Sequence, residues 1–204
     1  MEAWSWGEDA FPPIDFAVQA LIRDGMPFPP FDQHADGDGT LRAGGLSTEM
    51  WSEWVSALID LNSSMSQFAA LIGGDLPADA LQRGRETSDR MMEPWSLISG
   101  SDRVRNRLHQ MWDEYRTATR AWEQPLALGE RGARGLSGAL ARSLWTDLAS
   151  LHDRLPTLTV FLVEYLTPGV MPVAPTACVI APDPDPSAYA DQVRAAAGRL
   201  ANAR

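Results

Sequence analysis

Two histidines stand beside carboxylates at spacings that suit acid–base chemistry. His109 and Asp113 are four residues apart in a stretch of helical periodicity, which places both on one helix face, and Asp153 directly follows His152. A carboxylate that orients an imidazole is one element of general acid–base catalysis. Neither histidine belongs to a Glu-x-x-His pair of the kind that builds metal sites inside helical bundles. The alternative interpretation places both at the protein surface or its boundary.

A polar loop at residues 34–45, HADGDGTLRAGG, carries several oxygen ligands. Its DGDGTL segment resembles the calcium loop of EF-hand proteins, in which oxygen ligands alternate along twelve residues around a turn glycine. The resemblance implies ligands at Asp36, Asp38 and the Thr40 carbonyl, and Asp32 could add an oxygen. A histidine replaces the first Asp of that pattern, and a glycine replaces its closing Glu. Weak calcium binding is therefore the alternative to a solvated turn.

A glycine-rich segment at residues 129–138, GERGARGLSG, precedes a predicted helix. Backbone amides at such a junction can bind an anion, and Arg131 and Arg134 would add positive charge. The segment lacks the Lys-Ser/Thr ending of a phosphate-binding loop and does not follow a predicted strand. The alternative interpretation is a linker between helices.

The composition is that of an acidic globular protein. Of 204 residues, 45% are hydrophobic and 22% are charged, the net charge is -10, and every basic residue is arginine. The absence of lysine excludes Schiff-base chemistry, and the acidic balance argues against nucleic acid or an anionic membrane as partner. We predict no cofactor.

The chain contains neither a signal-peptide pattern nor an apolar run long enough to cross a bilayer, so no transmembrane segment is predicted. Its one cysteine, Cys178, cannot form an internal disulfide, which is typical of a reducing compartment. These features predict a cytoplasmic protein. No histidine lies near Cys178 in sequence, and the pattern gives no support to a nucleophilic role.

Apolar residues recur with helical spacing in several stretches and predict an all-α fold, a bundle of about four to six helices. The clearest stretch is 101–125, with Ser101 as N-cap. Others cover 14–24, 47–72, 77–92 and a leucine stripe at 136–155. The segment TLTVFLVEYL, within 157–166, favours a helix, and its β-branched residues leave a buried strand as the alternative.

Two segments without helical periodicity predict extended arms. Residues 1–13 form an aromatic and acidic N-terminal arm, residues 14–166 the helical bundle, residues 167–186 a Pro-rich extended segment, and residues 187–204 an amphipathic helix. Exposed apolar side chains in the arms would need a covering surface. The predicted partner-binding residues are therefore Trp4, Trp6, Val170, Met171, Val173, Val179 and Ile180.

Three functions follow as hypotheses. The first is a non-catalytic scaffold or accessory subunit that docks on a partner protein, or on copies of itself, through the arms. The second is an enzyme or enzyme subunit with a pocket between helices near His109 or His152, and the third is a weak calcium-binding module at 34–45. The Trp- and Met-rich helices also resemble phasins and the helical partner subunits of polyester synthases, a resemblance that implies docking on an apolar surface.

Overall fold

The computed structural model describes residues 5–24, 39–71, 78–119, 132–163 and 168–203. Within these ranges the chain forms seven α-helices, four β-strands and two 3₁₀ turns. The helices are α1 (Pro12–Arg23), α2 (Thr40–Ala43), α3 (Thr48–Leu71), α4 (Ala78–Met92), α5 (Asp102–Thr119), α6 (Gly138–Ala149) and α7 (Pro186–Asn202). The strands are β1 (Ser5–Asp9), β2 (Thr157–Leu162), β3 (Gly169–Ala174) and β4 (Ala177–Ala181), and the 3₁₀ turns are Pro94–Leu97 and Ala133–Gly135.

The strands form one mixed sheet in the order β1-β2-β4-β3. β1 runs parallel to β2, with Ser5 opposite Thr157, and β2 runs parallel to β4, with Thr159 opposite Ala177. β3 and β4 form an antiparallel hairpin whose register shifts between Pro172 and Ala174. Proline cannot donate a backbone hydrogen bond, so its place on the edge strand beside this irregularity is the one a sheet tolerates.

Helices cover both faces of the sheet. Alternate strand residues such as Phe161, Met171 and Val179 join a core cluster with α1, α3 and α5. Their neighbours Val160 and Ile180 join a second cluster with α6 and α7. This alternation follows from the two-residue period of a β-strand, and it produces three layers, helix on sheet on helix.

The predicted all-α bundle is therefore wrong, and the fold is α/β. Residues 157–162 favoured a helix, yet they form β2, the strand between β1 and β4. A strand covered on both faces carries a nearly continuous apolar run, and such a run does not show the alternation that marks a half-buried strand. The alternative interpretation of this segment as a buried strand is confirmed.

The two predicted arms are also wrong as free extensions. The N-terminal arm contributes β1, and the Pro-rich segment contributes β3 and β4. β1 pairs with β2, and β3 pairs with β4, so both segments belong to the sheet. An extended segment without helical periodicity can equally be a strand of the core, and its sequence alone does not identify the neighbouring strand.

The predicted helices agree better with the structure. α5 begins after Ser101, whose hydroxyl accepts a hydrogen bond from the Val104 amide at 3.4 Å, as expected of an N-cap. Pro125, the predicted end of this helix, lies outside the described residues. The leucine stripe continues as α6 only to Ala149, and turns at 150–154 lead into the sheet.

Three buried tryptophans connect the elements of the helical layer through hydrogen bonds from their indole nitrogens. Trp51 and Trp54 of α3 donate to the Ala17 carbonyl at 3.2 Å and to the Pro94 carbonyl at 2.7 Å. Trp112 of α5 donates to the Met92 carbonyl at 2.9 Å. Each tryptophan thus combines apolar burial with a satisfied polar group.

Candidate functional site

Both histidines singled out in the sequence lie at the surface. The His109 side chain is 54% exposed, stacks on Trp95, and has Nε2 at 3.6 Å from Asp113 Oδ2. The His152 side chain is 42% exposed, with Nδ1 at 3.4 Å from Asp153 Oδ1. These contacts pair each imidazole with a carboxylate, but in solvent, and they give no support to an enclosed acid–base site.

Three of the predicted calcium ligands, Asp32, Asp36 and Asp38, lie outside the described residues. Gly39 is described and has a φ of 63°, a left-handed conformation that suits the turn glycine of the pattern. The Thr40 carbonyl accepts a hydrogen bond from the Gly44 amide at 3.0 Å, so it closes the short helix α2. Weak calcium binding at this loop stays a prediction.

The residues predicted to bind a partner mostly lie inside the chain's own fold. Met171, Val179 and Ile180 are fully buried within the sheet, and Val170 is 9% exposed. The remaining described members, Trp6 and Val173, are partly buried and pack against the two core clusters, whereas Trp4 lies outside the described residues. The sheet and its helices therefore supply the cover that we expected from a partner.

The glycine-rich segment does bind an anion, and the anion is the chain's own Glu8 carboxylate. The Ala133 amide donates to both Glu8 carboxylate oxygens, at 2.9 and 2.7 Å. A Cβ added at Gly132 would lie 2.6 Å from Glu8 Oε2 and 2.9 Å from Leu162 Cδ1, so only glycine allows the backbone to approach this closely. The segment thus fastens β1 to the residues that precede α6.

Glu8 also meets the first turn of α7. The Tyr189 hydroxyl donates to Glu8 Oε1, and the Tyr189 side chain is fully buried. Burial raises the pKa of Glu8, and the hydrogen bonds from Tyr189 and Ala133 and the nearby positive charge of Arg134 oppose that rise. Burial, together with the Glu8 charge, also raises the pKa of Tyr189, which keeps the phenol protonated as a donor.

Cys178 lies on β4, belongs to the same core cluster as Tyr189, and is fully buried. Burial raises the pKa of its thiol to about 12. Because the thiolate is the reactive form, a thiol in this environment is inert at neutral pH.

Two buried aspartates organise the opposite helical layer. Asp24, directly after α1, accepts from the Leu41 amide at 2.6 Å and the Arg42 amide at 3.1 Å, and so caps α2 from a distance in sequence. Asp15 of α1 accepts from the Tyr115 hydroxyl of α5 at 2.6 Å. Both carboxylates are satisfied by donors from other elements, which fits a structural role.

A recess of about 280 Å³ opens between α1 and α5, close to the bond between Asp15 and Tyr115. One salt bridge belongs to its lining: Arg23 Nη2 lies 2.9 Å from Glu114 Oε2, with side chains 48% and 54% exposed. The lining residues are Phe16, Gln19, Ala20, Arg23, Met111, Glu114, Tyr115 and Ala118. The wall is therefore largely apolar, with one positive and one negative group among the half-exposed residues.

α4 presents an unusual surface for a helix of 15 residues. Leu81 and Met92 are 42% and 37% exposed, whereas its buried residues are the small Ala80 and Gly84. The helix packs on α3 and on the 3₁₀ turn Pro94–Leu97. α4 therefore fully buries only small residues, holds Met91 half-buried against the first core cluster, and turns Leu81 and Met92 outward.

Further comparisons limit what can be assigned. Within the described ranges, no helix is long and apolar enough to cross a membrane, and no cluster of three or more His, Cys, Asp or Glu residues could hold a metal ion. Comparisons with protein-family models, curated proteins and solved structures give no match.

Sequence reasoning did not identify Glu8, Tyr189, Arg23 or Glu114 as site residues. Glu8 and Tyr189 lie 181 residues apart, and only the sheet topology brings them together. Arg23 and Glu114 resemble any charged residues on the solvent face of an amphipathic helix. The apolar part of the recess was easier to predict, because Met111, Tyr115 and Ala118 recur with helical spacing within the predicted stretch 101–125.

Proposed function

We propose that this chain is a non-catalytic interaction protein that docks on a partner protein through α4. The observation that carries the proposal is the outward placement of Leu81 and Met92 on a helix whose buried residues are small. The docking surface thus differs from the arms of the sequence prediction, whose described partner-binding candidates are buried or pack against the core.

The two exposed apolar residues lie on one side of α4. They are eleven positions apart, and at about 100° per residue this separation falls within about 20° of three full turns. Arg85 and Ser88 lie between them on the same side and are exposed. The surface is therefore a narrow stripe along the helix, with apolar residues near its ends and a guanidinium between them.

The way α4 is held within the chain supports a docking role. Most helical stability in proteins comes from burying an apolar face, as α1 does with eight buried residues. Among residues 79–92, by contrast, only Ala80 and Gly84 are buried, with Thr87 and Met91 half-buried. A partner that covers Leu81 and Met92 would add to the small apolar contact that Ala80 and Met91 make with the rest of the chain.

Charge favours a different protein as the partner over a second copy. Two copies that each carry a net charge of -10 repel one another. Leu81 and Met92 would enter an apolar groove on the partner, as in helix-in-groove recognition, and Arg85 would meet a carboxylate or backbone carbonyls there. Arginine is one of the residues that most often contribute a large share of the binding energy at an interface centre.

The experiment begins with affinity purification from the native organism, which supplies the partner for measurement with pure components. Isothermal titration then compares the wild type with the double variant Leu81→Gln, Met92→Gln. Because both substitutions are at the surface, the fold should persist, and the affinity should fall at least about tenfold.

The matched control is Trp145→Gln, which removes a side chain that is 50% exposed on α6, across the sheet from α4. We expect it to leave the affinity unchanged. An unchanged affinity of the α4 double variant, or an equal loss in the Trp145→Gln control, would refute docking through α4.

A further inference from the structure

The recess between α1 and α5 combines an apolar wall with two opposite charges, and neither feature is used by the docking surface on α4. Among the lining residues, Phe16 and Met111 are buried in the helical core, whereas Ala118 is exposed to solvent. Arg23 and Glu114 are half exposed, so they lie where a ligand entering from solvent would meet them. The geometry points to a small ligand that is apolar at one end and carries both charges at the other.

We propose that the recess binds a free apolar α-amino acid. Its side chain would occupy the apolar interior, its α-carboxylate would pair with Arg23, and its α-ammonium would pair with Glu114. The two charged groups of an amino acid share one carbon, so they are adjacent, as are the Arg23 and Glu114 groups at 2.9 Å. A guanidinium offers several N–H donors in a planar fork that matches a carboxylate.

The size of the recess fits this ligand class. A dry cavity of about 150 Å³ lined by apolar side chains is sufficient to bind benzene. The recess here measures about 280 Å³, which leaves room for the side chain of leucine, methionine or phenylalanine and part of the amino-acid backbone. Drug-sized and cofactor-sized ligands need larger pockets, so the volume favours a small metabolite.

Opening the salt bridge for the ligand costs little. Ion pairs between half-exposed side chains contribute little to stability, because hydration of the separated charges is nearly as favourable as the ion pair itself. Both side chains are long and can turn toward a zwitterion, which replaces one ion pair by two. Recognition of both charges then distinguishes an amino acid from a simple amine or a simple acid of the same shape.

The test uses isothermal titration of the full chain with L-phenylalanine, L-leucine and L-methionine as probes. Phenethylamine lacks the carboxylate, 3-phenylpropanoate lacks the ammonium, and L-serine lacks the apolar side chain. We expect saturable binding of the apolar amino acids. Each comparator should bind at least about tenfold more weakly, because it loses a charge-assisted bond or the apolar contact.

Two charge variants identify which group binds which end. Arg23→Gln should weaken phenylalanine binding about tenfold and leave phenethylamine binding unchanged, because phenethylamine has no carboxylate. Glu114→Gln should weaken phenylalanine equally and leave 3-phenylpropanoate unchanged. Arg116→Gln, on an exposed residue of α5 that does not line the recess, is the matched control and should change neither.

A steric variant tests the recess itself. Ala118 is exposed in the lining, and Ala118→Leu would fill space there without entering the core. We expect loss of amino-acid binding with unchanged thermal stability. Absence of saturable binding by the wild type at millimolar concentration, or equal binding of the single-charge comparators, would overturn the proposal. Neither result would bear on α4, because the Leu81→Gln, Met92→Gln variant should bind phenylalanine as the wild type does.

Discussion

The Tyr189 hydroxyl in the first turn of α7 donates a hydrogen bond to the Glu8 carboxylate on β1, across 181 residues of sequence. The same carboxylate accepts from the Ala133 amide ahead of α6. One side chain therefore joins β1, α7 and the 3₁₀ turn that precedes α6.

Removing this donor should destabilise the fold. We expect Tyr189→Phe to lower the free energy of unfolding by about 1 to 3 kcal/mol, the usual cost of losing a hydrogen bond to a carboxylate. Urea denaturation monitored by circular dichroism measures the change. A double-mutant cycle with Glu8→Ala should give a coupling energy of at least about 0.5 kcal/mol, and additive effects would show that the two groups do not interact.

The raised pKa of Glu8 predicts a definite pH trend. Burial raises this pKa above 4.5, so the folded chain holds the Glu8 proton more tightly than the unfolded chain does. The stability that this group contributes is therefore complete below pH 4.5 and is lost as pH rises through the folded pKa.

The trend is measured as the difference in unfolding free energy between the wild type and Glu8→Gln, from urea titrations at several pH values between about 4 and 7. We expect the free energy of unfolding of the wild type to fall relative to that of Glu8→Gln as pH rises. The control is Glu86→Gln, which removes an exposed carboxylate from α4. A difference that moves in the opposite direction would contradict the raised pKa.

Two glycines should respond to alanine in opposite directions. Gly132→Ala should destabilise the fold by about 1 to 3 kcal/mol, because its Cβ would approach Glu8 Oε2 to 2.6 Å. Gly198 lies inside α7 with nothing within 4 Å of an added Cβ, so Gly198→Ala should stabilise by about 0.4 to 1 kcal/mol. Thermal denaturation compares the two variants, and a neutral Gly132→Ala would refute the close approach.

Cys178 should resist alkylation in the native state. Its thiol is fully buried with a pKa of about 12, so at pH 8 only about one molecule in ten thousand carries the reactive thiolate. Labelling with iodoacetamide, followed by mass spectrometry, should proceed only as fast as the protein unfolds. An added exposed thiol, Ser96→Cys, provides the reactive comparison, and equal rates at both positions would contradict the burial of Cys178.

The sequence predicts the helices of this fold better than its sheet. α5 shows its apolar stripe because one face is buried and the other is solvated, and that contrast produces a helical period. β2 is covered on both faces, so its residues Leu158, Val160 and Phe161 are all buried. The sequence therefore lacks the sustained alternation of apolar and polar residues that marks a half-buried strand. The sheet also divides the core into two clusters: Leu144 packs with the second, while Trp51 and Leu108 pack with the first.

The candidate sites were harder to predict than the elements that carry them. The glycine-rich segment was identified as a potential anion site from its backbone chemistry alone, yet the anion proved to be Glu8 of the same chain. That result depends on the parallel pairing of β1 with β2, which places Glu8 opposite Val160. No pattern within either segment encodes such a pairing, since the two lie far apart in sequence.

Docking through α4 is tested most directly by hydrogen–deuterium exchange of the full chain with and without its purified partner. Exposed helices that pack weakly on their own protein open readily, and a bound partner suppresses that opening. The account predicts slower amide exchange across residues 78–92 in the complex, with exchange in α6 unchanged. Unchanged exchange in α4, accompanied by protection of another element, would contradict it.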